Sequence, residues 1–155
     1  MNIFNPKEFK LMALRDCPTP KEMQLCETPE QAANYWRLHV QVHPYFDPDR
    51  ECLIVLLLTT RRHIKGHHLV SIGTMDTILV SPVSIFRVAV VASAAAAVLM
   101  HNHPSGDATP SEADVRVIRE LVKVGQLLRI EFLDHVIVGA SCYVFFRELG
   151  YLISS

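Results

Sequence analysis

The chain contains 155 residues, of which 50% are hydrophobic and 20% are charged, and its formal net charge is −1. A chain of this length typically folds as one domain, and its apolar content excludes an intrinsically disordered protein. No run of basic residues is longer than Arg61-Arg62. Neither the net charge nor the charge pattern therefore supports direct nucleic-acid binding.

Cysteine usage and apolar segments bear on the compartment. None of the four cysteines (Cys17, Cys26, Cys52 and Cys142) forms a Cys-x-x-Cys pair, so we expect buried or half-buried thiols in a reduced protein. The first residues (MNIFNPKEFK) lack the pattern of a signal peptide. The longest apolar stretch, residues 88–100, is too short to cross a bilayer. We expect a cytoplasmic protein without a membrane partner.

The first predicted element is a helix over residues 30–41. Thr28 suits the N-cap and Pro29 the first helical position, and apolar side chains recur along the segment that follows. Residues 43–50 (HPYFDPDR) predict a loop because of their prolines. We expect residues 1–42 to form an N-terminal extension with this one helix, either as a docking segment or packed on the domain.

Strands and helices alternate along the rest of the chain. The run ECLIVLLLTT from Glu51 predicts a strand buried on both faces. RRHIKGHH predicts a turn at Gly66 with His67-His68 solvated, and LVSIGT at 69–74 predicts a returning strand. The remaining predicted elements are a helix opened by Ser81-Pro82 and running through IFRVAVVASA, a strand over AAAVLM, a helix capped by Ser111, and the strands IEFLDHVIVG and CYVFF. This alternation predicts an α/β fold.

Three residues of metal-binding type follow the strand AAAVLM: His101, His103 and Asp114. Residues two apart in an extended strand point to the same side, so both imidazoles can reach one ion. The loop PSGDATP folds the chain back and directs Asp114, in the first turn of the next helix, toward the imidazoles. Two imidazoles and one carboxylate are a typical ligand set for catalytic zinc (Zn²⁺), with the fourth position open to water.

A zinc hydrolase also needs an acid/base group, because a proton must pass from the attacking water to the leaving group. Glu51, at the head of the buried strand, is our candidate. Asp107 and Glu112 are alternatives, although they also suit loop and helix-terminal roles. Ser111 suits two functions that do not exclude each other, as a helix cap or as a hydroxyl beside the developing oxyanion.

The segment HNHPSGDATPSEAD at 101–114 resembles the JAMM motif of MPN-domain metalloproteases, and specifically the bacterial RadC family of JAB domains. The same family is resembled by the segments LVSIGT, SPVSIFRVA and LDHVIVG. The likeness covers residues 45–152. It implies an MPN fold over residues 43–155, a curved mixed sheet flanked by helices and similar to the cytidine deaminases.

The resemblance also implies the chemistry of the site. It makes His101, His103 and Asp114 the zinc ligands, Glu51 the acid/base glutamate and Ser111 the positioning hydroxyl. The implied activity is hydrolysis of an amide bond in a peptide, an isopeptide or a small amide. Neither the exact substrate nor the oligomeric state is indicated by these residues.

Two positions depart from the family pattern without touching a proposed ligand. Thr59-Thr60 stand where members often carry an aspartate, and Val83-Ser84 stand where Arg-Glu is usual. The family's DNA-repair label gives a second hypothesis, a non-catalytic module associated with repair or recombination, against which the near-neutral charge and intact ligand set argue. A zinc deaminase would need His-x-Glu and a downstream Pro-Cys-x-x-Cys, which the sequence lacks. The literal HNH tripeptide does not match the spread signature of the HNH nucleases.

Overall fold

A five-stranded sheet forms the centre of the molecule. A computed structural model describes residues 6–10, 12–73 and 80–152. In chain order the strands are β1 (Glu51–Leu58), β2 (Ile64–Gly73), β3 (Ala96–Asn102), β4 (Glu131–Val138) and β5 (Tyr143–Phe145). They lie side by side in the order β2-β1-β3-β4-β5. β3 and β4 are parallel and the other neighbouring pairs are antiparallel, so the sheet is mixed, as predicted.

In the described part of the chain, three α-helices accompany the sheet: α1 (Pro29–Tyr35), α2 (Pro82–Val91) and α3 (Glu112–Leu128). Each begins after a residue whose side chain accepts a hydrogen bond from a backbone N–H of the first turn. These N-caps are Thr28, Ser81 and Ser111. Such caps satisfy backbone N–H donors that have no partner within the helix, so they favour a helix start at that residue. The predicted helix starts are confirmed.

The two faces of the sheet carry separate cores. One face packs against α2 and α3, and its core includes the buried side chains of Leu53 on β1, Leu99 on β3 and Ile118 on α3. The opposite face packs against α1 and the π-helical turn that continues it, Trp36–Val40. Because β1 is buried on both sides, its sequence is a continuous apolar run rather than an alternating one.

The turn predicted at Gly66 is wrong, because both histidines lie in a strand. The predicted solvated position is wrong for His67, which is half-buried, whereas His68 is exposed. The chain reverses earlier, where Arg62 adopts a left-handed conformation with φ 62°. β2 then starts at Ile64 and continues through both histidines to Gly73, paired with β1. Gly66, with φ 145°, lies at an irregularity in the register, where a residue without a side chain lets the strand continue. The predicted strand over 69–74 is confirmed as far as Gly73, and its last residue lies outside the described residues.

The second helix ends earlier than predicted. Its sequence remains apolar to Ala94, but α2 ends at Val91 because Ser93 adopts a left-handed conformation with φ 53°. Such a conformation after the last helical residue stops the helix and releases the chain toward β3.

The N-terminal helix is part of the packed molecule. Tyr35 and Trp36, at the junction of α1 and the π-helical turn, are almost completely buried against the sheet. The division of the chain at residue 42 stays a prediction. Within the ranges that the structure describes, no helix combines the length and apolarity needed to cross a membrane.

Candidate metal centre

The end of β3 and the start of α3 bring two imidazoles and a carboxylate together. His101 is the penultimate residue of β3, and His103 follows the strand, with its backbone N–H donating to the carbonyl of Val138 at 3.2 Å. The two imidazole rings lie on the same side, with their centroids 4.7 Å apart. Asp114 lies in the first turn of α3 and faces both rings.

These three residues form what we call the ligand group (His101, His103 and Asp114). Nε2 of His101 lies 3.6 Å from Oδ1 of Asp114, and Nε2 of His103 lies 3.6 Å from Oδ2 of the same carboxylate. One ligand atom from each residue can be chosen so that all lie within 4.8 Å of one another. The group could therefore hold a metal ion, as the sequence predicts.

The distances between the histidine nitrogens and the Asp114 oxygens suit a bound ion better than direct hydrogen bonds. Atoms bound at about 2.0–2.2 Å to one tetrahedral ion lie about 3.3–3.6 Å apart. The observed 3.6 Å is beyond ordinary hydrogen-bond length. Moreover, Nε2 of His101 is fully buried and has no hydrogen-bond partner among the described residues. A buried polar atom without a partner is costly, and a metal ion between the three residues would satisfy it.

Ser111 orients the carboxylate through a reciprocal cap. Its Oγ accepts a hydrogen bond from the backbone N–H of Asp114 at 3.1 Å, and its own backbone N–H donates to Oδ2 of Asp114 at 2.7 Å. This capping box fixes the side chain of Asp114 and places a negative charge at a helix N-terminus, where it is stabilised. The structural role predicted for Ser111 is confirmed.

The charges of His101 and Asp114 fit metal binding. Burial lowers the pKa of His101 well below its ordinary value, so this imidazole is neutral at physiological pH. Burial alone would raise the pKa of Asp114, but the neighbouring His103 and His101 hold it well below its ordinary value. The Asp114 carboxylate in turn raises the pKa of His103. An ionised carboxylate beside a neutral imidazole is the state that binds a cation.

His103 is held from its far side by the loop before α3. Nδ1 of His103 donates to the backbone carbonyl of Asp107 at 2.8 Å, which turns Nε2 toward Asp114. The carboxylate of Asp107 instead accepts hydrogen bonds from the backbone N–H and the hydroxyl of Thr109. Glu112 is the exposed first residue of α3. Both alternatives to Glu51 therefore have the loop and helix-terminal positions that the sequence indicates.

Glu51 lies at the same end of the sheet as the ligand group. It is the first residue of β1, and the antiparallel register pairs Leu53 with His101, so continuing the register brings Glu51 toward His103. Its negative charge makes a small contribution, after that of Asp114, to the raised pKa of His103. Glu51 also lines an open cleft of about 350 Å³ together with Pro104, the neighbour of His103.

Asn102 fixes the backbone on both sides of Glu51. Its Oδ1 accepts from the N–H of Cys52 at 2.8 Å, and its Nδ2 donates to the carbonyl of Arg50 at 3.0 Å. The side chain is almost completely buried, so these bonds are shielded from water. Asn102 therefore ties the head of β1 to the strand that carries the ligands, a role that sequence reasoning missed.

His135 on β4 is the second residue that sequence reasoning missed. The sequence predicts LDHVIVG as a strand and assigns this histidine no role. In the structure it is fully buried, and its Nε2 lies 2.7 Å from Nδ1 of His101. A histidine inside an apolar strand is a sequence signal for a buried polar contact, but its partner follows only from the parallel pairing of β3 with β4.

No cysteine belongs to the ligand group. All four are free thiols; Cys26 and Cys52 are buried and Cys17 is half-buried, as predicted. Cys142 is exposed, contrary to expectation, in the turn between β4 and β5. Burial raises the pKa values of Cys26 and Cys52 to about 11, so both thiols are protonated at neutral pH.

Comparisons with known proteins bear on this arrangement. A family model described as a RadC-like JAB domain matches residues 26–151. A UPF0758 protein of Chlorobaculum tepidum is 47% identical over 102 residues, which are 66% of this chain and 46% of the relative. A UPF0758 protein of Desulforamulus reducens is 39% identical over 104 residues, which are 67% of this chain and 46% of the relative. The match thus spans about half the length of these relatives.

Proposed function

Because the chain belongs to the RadC-like JAB domain family, we propose that it is a zinc-dependent hydrolase that cleaves an amide bond. Its mixed sheet flanked by helices is the JAB/MPN fold. The observation that carries the proposal is the buried Nε2 of His101, which faces His103 and Asp114 across gaps that suit an ion.

Zinc is the metal that we propose for the ligand group. Two histidines and one carboxylate with room for a further ligand are typical of catalytic zinc sites. When bound, zinc supplies a Lewis acid that polarises a carbonyl group and lowers the pKa of a coordinated water to about 7. Asp114 as an ionised carboxylate and His101 as a neutral imidazole would hold it, together with His103, which must give up any proton on Nε2 to bind.

The proton transfer is the task that we assign to Glu51. Its carboxylate would accept a proton from the attacking water and then deliver it to the nitrogen of the leaving amine. The hydrogen bonds of Asn102 to the residues on either side hold the backbone of Glu51 in place for both steps. Ser111 uses a lone pair for its cap, so its O–H proton is available to donate to the developing oxyanion.

The cleft beside Glu51 supports a peptide-like substrate. It is open and is lined by Asp49, Arg50, Glu51, Gly73 and Pro104. Its volume of about 350 Å³ is within the range that binds small molecules or a few residues of an extended chain. A peptide, an isopeptide and a small amide all fit this description, and we propose an amide of this class as the substrate.

Metal analysis tests whether the ligand group binds zinc. Protein purified without added metal should contain about one zinc ion per chain, because one set of three ligands binds one ion. The His103→Ala variant should contain none, because one of the ligand imidazoles is gone. Absence of zinc from the wild-type protein, another metal in its place, or equal zinc in both proteins would contradict the proposal.

The rate of hydrolysis tests whether Glu51 is the acid/base group. Glu51→Gln keeps the shape of the side chain and removes its acid/base function, so zinc content should stay the same. Hydrolysis of fluorogenic peptide and isopeptide substrates should fall by about 10²- to 10⁴-fold, the usual contribution of general acid–base catalysis. Unchanged turnover in this variant would remove Glu51 from the mechanism.

A further inference from the structure

The contact between His101 and His135 joins the ligand group to a neighbouring strand. Both side chains are completely buried, and Nδ1 of His101 lies 2.7 Å from Nε2 of His135. Two ring nitrogens at this distance need one proton between them. Two lone pairs would repel each other, and two N–H groups would clash.

The position of that proton decides whether His101 can bind a metal. If Nδ1 of His101 carries it, the ring is neutral with a bare lone pair on Nε2, the atom that faces Asp114. If Nε2 of His135 carries it instead, a neutral His101 must hold its own proton on Nε2. A protonated Nε2 has no lone pair to offer an ion, so only the first arrangement lets His101 bind a metal.

We propose that His135 is a positioning residue that keeps the proton of His101 on Nδ1 and thereby presents the lone pair of Nε2 to the metal. His135 does so as the acceptor of a hydrogen bond, with its own proton on Nδ1, which is buried and has no hydrogen-bond partner among the described residues. This inference rests on the proposed metal site, but it concerns a residue outside the ligand group. It also explains why a histidine, which can accept through one nitrogen while the other is protonated, lies in the apolar strand β4.

The ring of His135 is fixed by its surroundings. It stacks on Phe146 with the centroids 4.8 Å apart and the planes 10° from parallel. Its backbone N–H donates to Oδ1 of Asp134 at 2.8 Å, and its backbone carbonyl accepts from the N–H of Phe146 at 3.3 Å. These contacts restrain the orientation of the imidazole, so Nε2 is directed at His101 before any metal is bound.

The test compares two substitutions of His135 that differ in one property. Gln can place its side-chain oxygen near the position of Nε2 and accept the hydrogen bond, whereas Phe has a similar shape and no acceptor. Zinc affinity is measured by competition with a chromophoric chelator, and the Co²⁺-substituted proteins are compared by their visible absorption. His39→Phe, a substitution of a buried histidine outside the ligand group, is the matched control.

We expect His135→Phe to bind zinc about 10- to 100-fold more weakly, as when other supporting partners of metal ligands are lost. His135→Gln should recover most of that affinity, and His39→Phe should bind as the wild-type protein does. Equal zinc affinity and equal Co²⁺ spectra in His135→Phe and the wild type would overturn the inference while leaving the metal site intact. No zinc binding by the wild type would overturn both.

A second measurement does not depend on how the variants fold. Nitrogen-15 NMR of the imidazoles in the zinc-loaded wild-type protein reports which nitrogen of each ring is protonated. We expect Nδ1 to carry the proton in both His101 and His135. A proton on Nε2 of His135 would overturn the inference.

Discussion

Two groups of buried and half-buried histidines in this molecule differ in what their ring nitrogens contact. In the tyrosine–histidine cluster (Tyr35, Tyr45 and His67), Nδ1 of His67 lies 2.9 Å from the hydroxyl of Tyr35 and Nε2 lies 3.3 Å from that of Tyr45. Both nitrogens thus have protein partners. In the ligand group, Nε2 of His101 has none within the described part of the chain.

The difference separates a structural histidine from a candidate ligand. A buried imidazole whose two nitrogens are both hydrogen-bonded stabilises the fold and has no lone pair left for an ion. In His101 one nitrogen is supported, and the other is bare and faces the carboxylate of Asp114, so its lone pair can bind an ion together with further ligands. The extent of burial alone does not make this distinction, since His67 and His103 are both half-buried.

The largest expected effect contrasts one residue from each group. His101→Phe should reduce zinc affinity by more than the about 10- to 100-fold typical for loss of a supporting contact, because it removes a ligand itself. His67→Phe should leave zinc affinity unchanged. Equilibrium competition with a chelator measures both. Weaker zinc binding by His67→Phe would show that the tyrosine–histidine cluster also affects the ligand group, which would contradict the distinction drawn between them.

The second effect concerns stability with and without metal. Zinc at 100 times its dissociation constant should stabilise the wild-type fold by about 2.7 kcal/mol, since only the folded chain assembles the ligand group. Thermal unfolding with zinc and with a chelator measures the difference. His103→Ala should unfold at the same temperature in both conditions. A zinc-dependent shift in that variant would place the ion elsewhere.

The third effect lies in the tyrosine–histidine cluster. His67→Phe should destabilise the fold by about 1–3 kcal/mol, because the hydroxyl of the nearly completely buried Tyr35 loses its 2.9 Å contact with His67. Urea unfolding of the metal-free proteins at neutral pH gives the value. Tyr45→Phe, which removes the 3.3 Å contact and leaves that of Tyr35 in place, should cost less. A larger loss in Tyr45→Phe would reverse the assignment of the stronger bond.

The smallest effect is a pH dependence. Burial, with a smaller contribution from Arg15, lowers the pKa of His67 from its ordinary value of 6.5 to about 4. The unfolded chain therefore takes up a proton at higher pH than the folded chain. The stabilising contribution of neutral His67 is complete above pH 6.5 and is lost as the pH falls toward 4.

The wild-type protein and His67→Gln, both free of metal, are compared by urea unfolding between pH 7 and pH 4. Other groups that titrate in this window are common to both proteins and cancel in the difference. Stability should fall less steeply with decreasing pH in the variant. Parallel profiles would mean that His67 titrates normally in the folded protein.

The parts of this structure that sequence could predict are those with local signals. Thr28, Ser81 and Ser111 mark helix starts because an N-cap is recognised from adjacent residues. The pairing of His101 with His103 is predictable because alternate residues of a strand end share a side.

The missed features depend on residues that are distant in the chain. The contact of His101 with His135 requires the parallel register of β3 and β4, and the bonds of Asn102 require that of β1 and β3. Neither register can be deduced from local pattern. The turn predicted at Gly66 lies instead at Arg62 for a local reason. The left-handed conformation of Arg62 is uncommon for a residue other than glycine, asparagine or aspartate, so the sequence does not indicate it.

The parallel pairing of β3 and β4 gathers the ligand group and His135 into one continuous β–α–β stretch, residues 96–138. Glu51 reaches them from outside that stretch, along β1. In the proposed hydrolase, capture of the ion and transfer of the proton are therefore contributed by separate parts of the chain. Asn102→Ala should loosen the start of β1. This variant could bind metal fully and still be inactive. Metal content alone would therefore overstate the fraction of active enzyme.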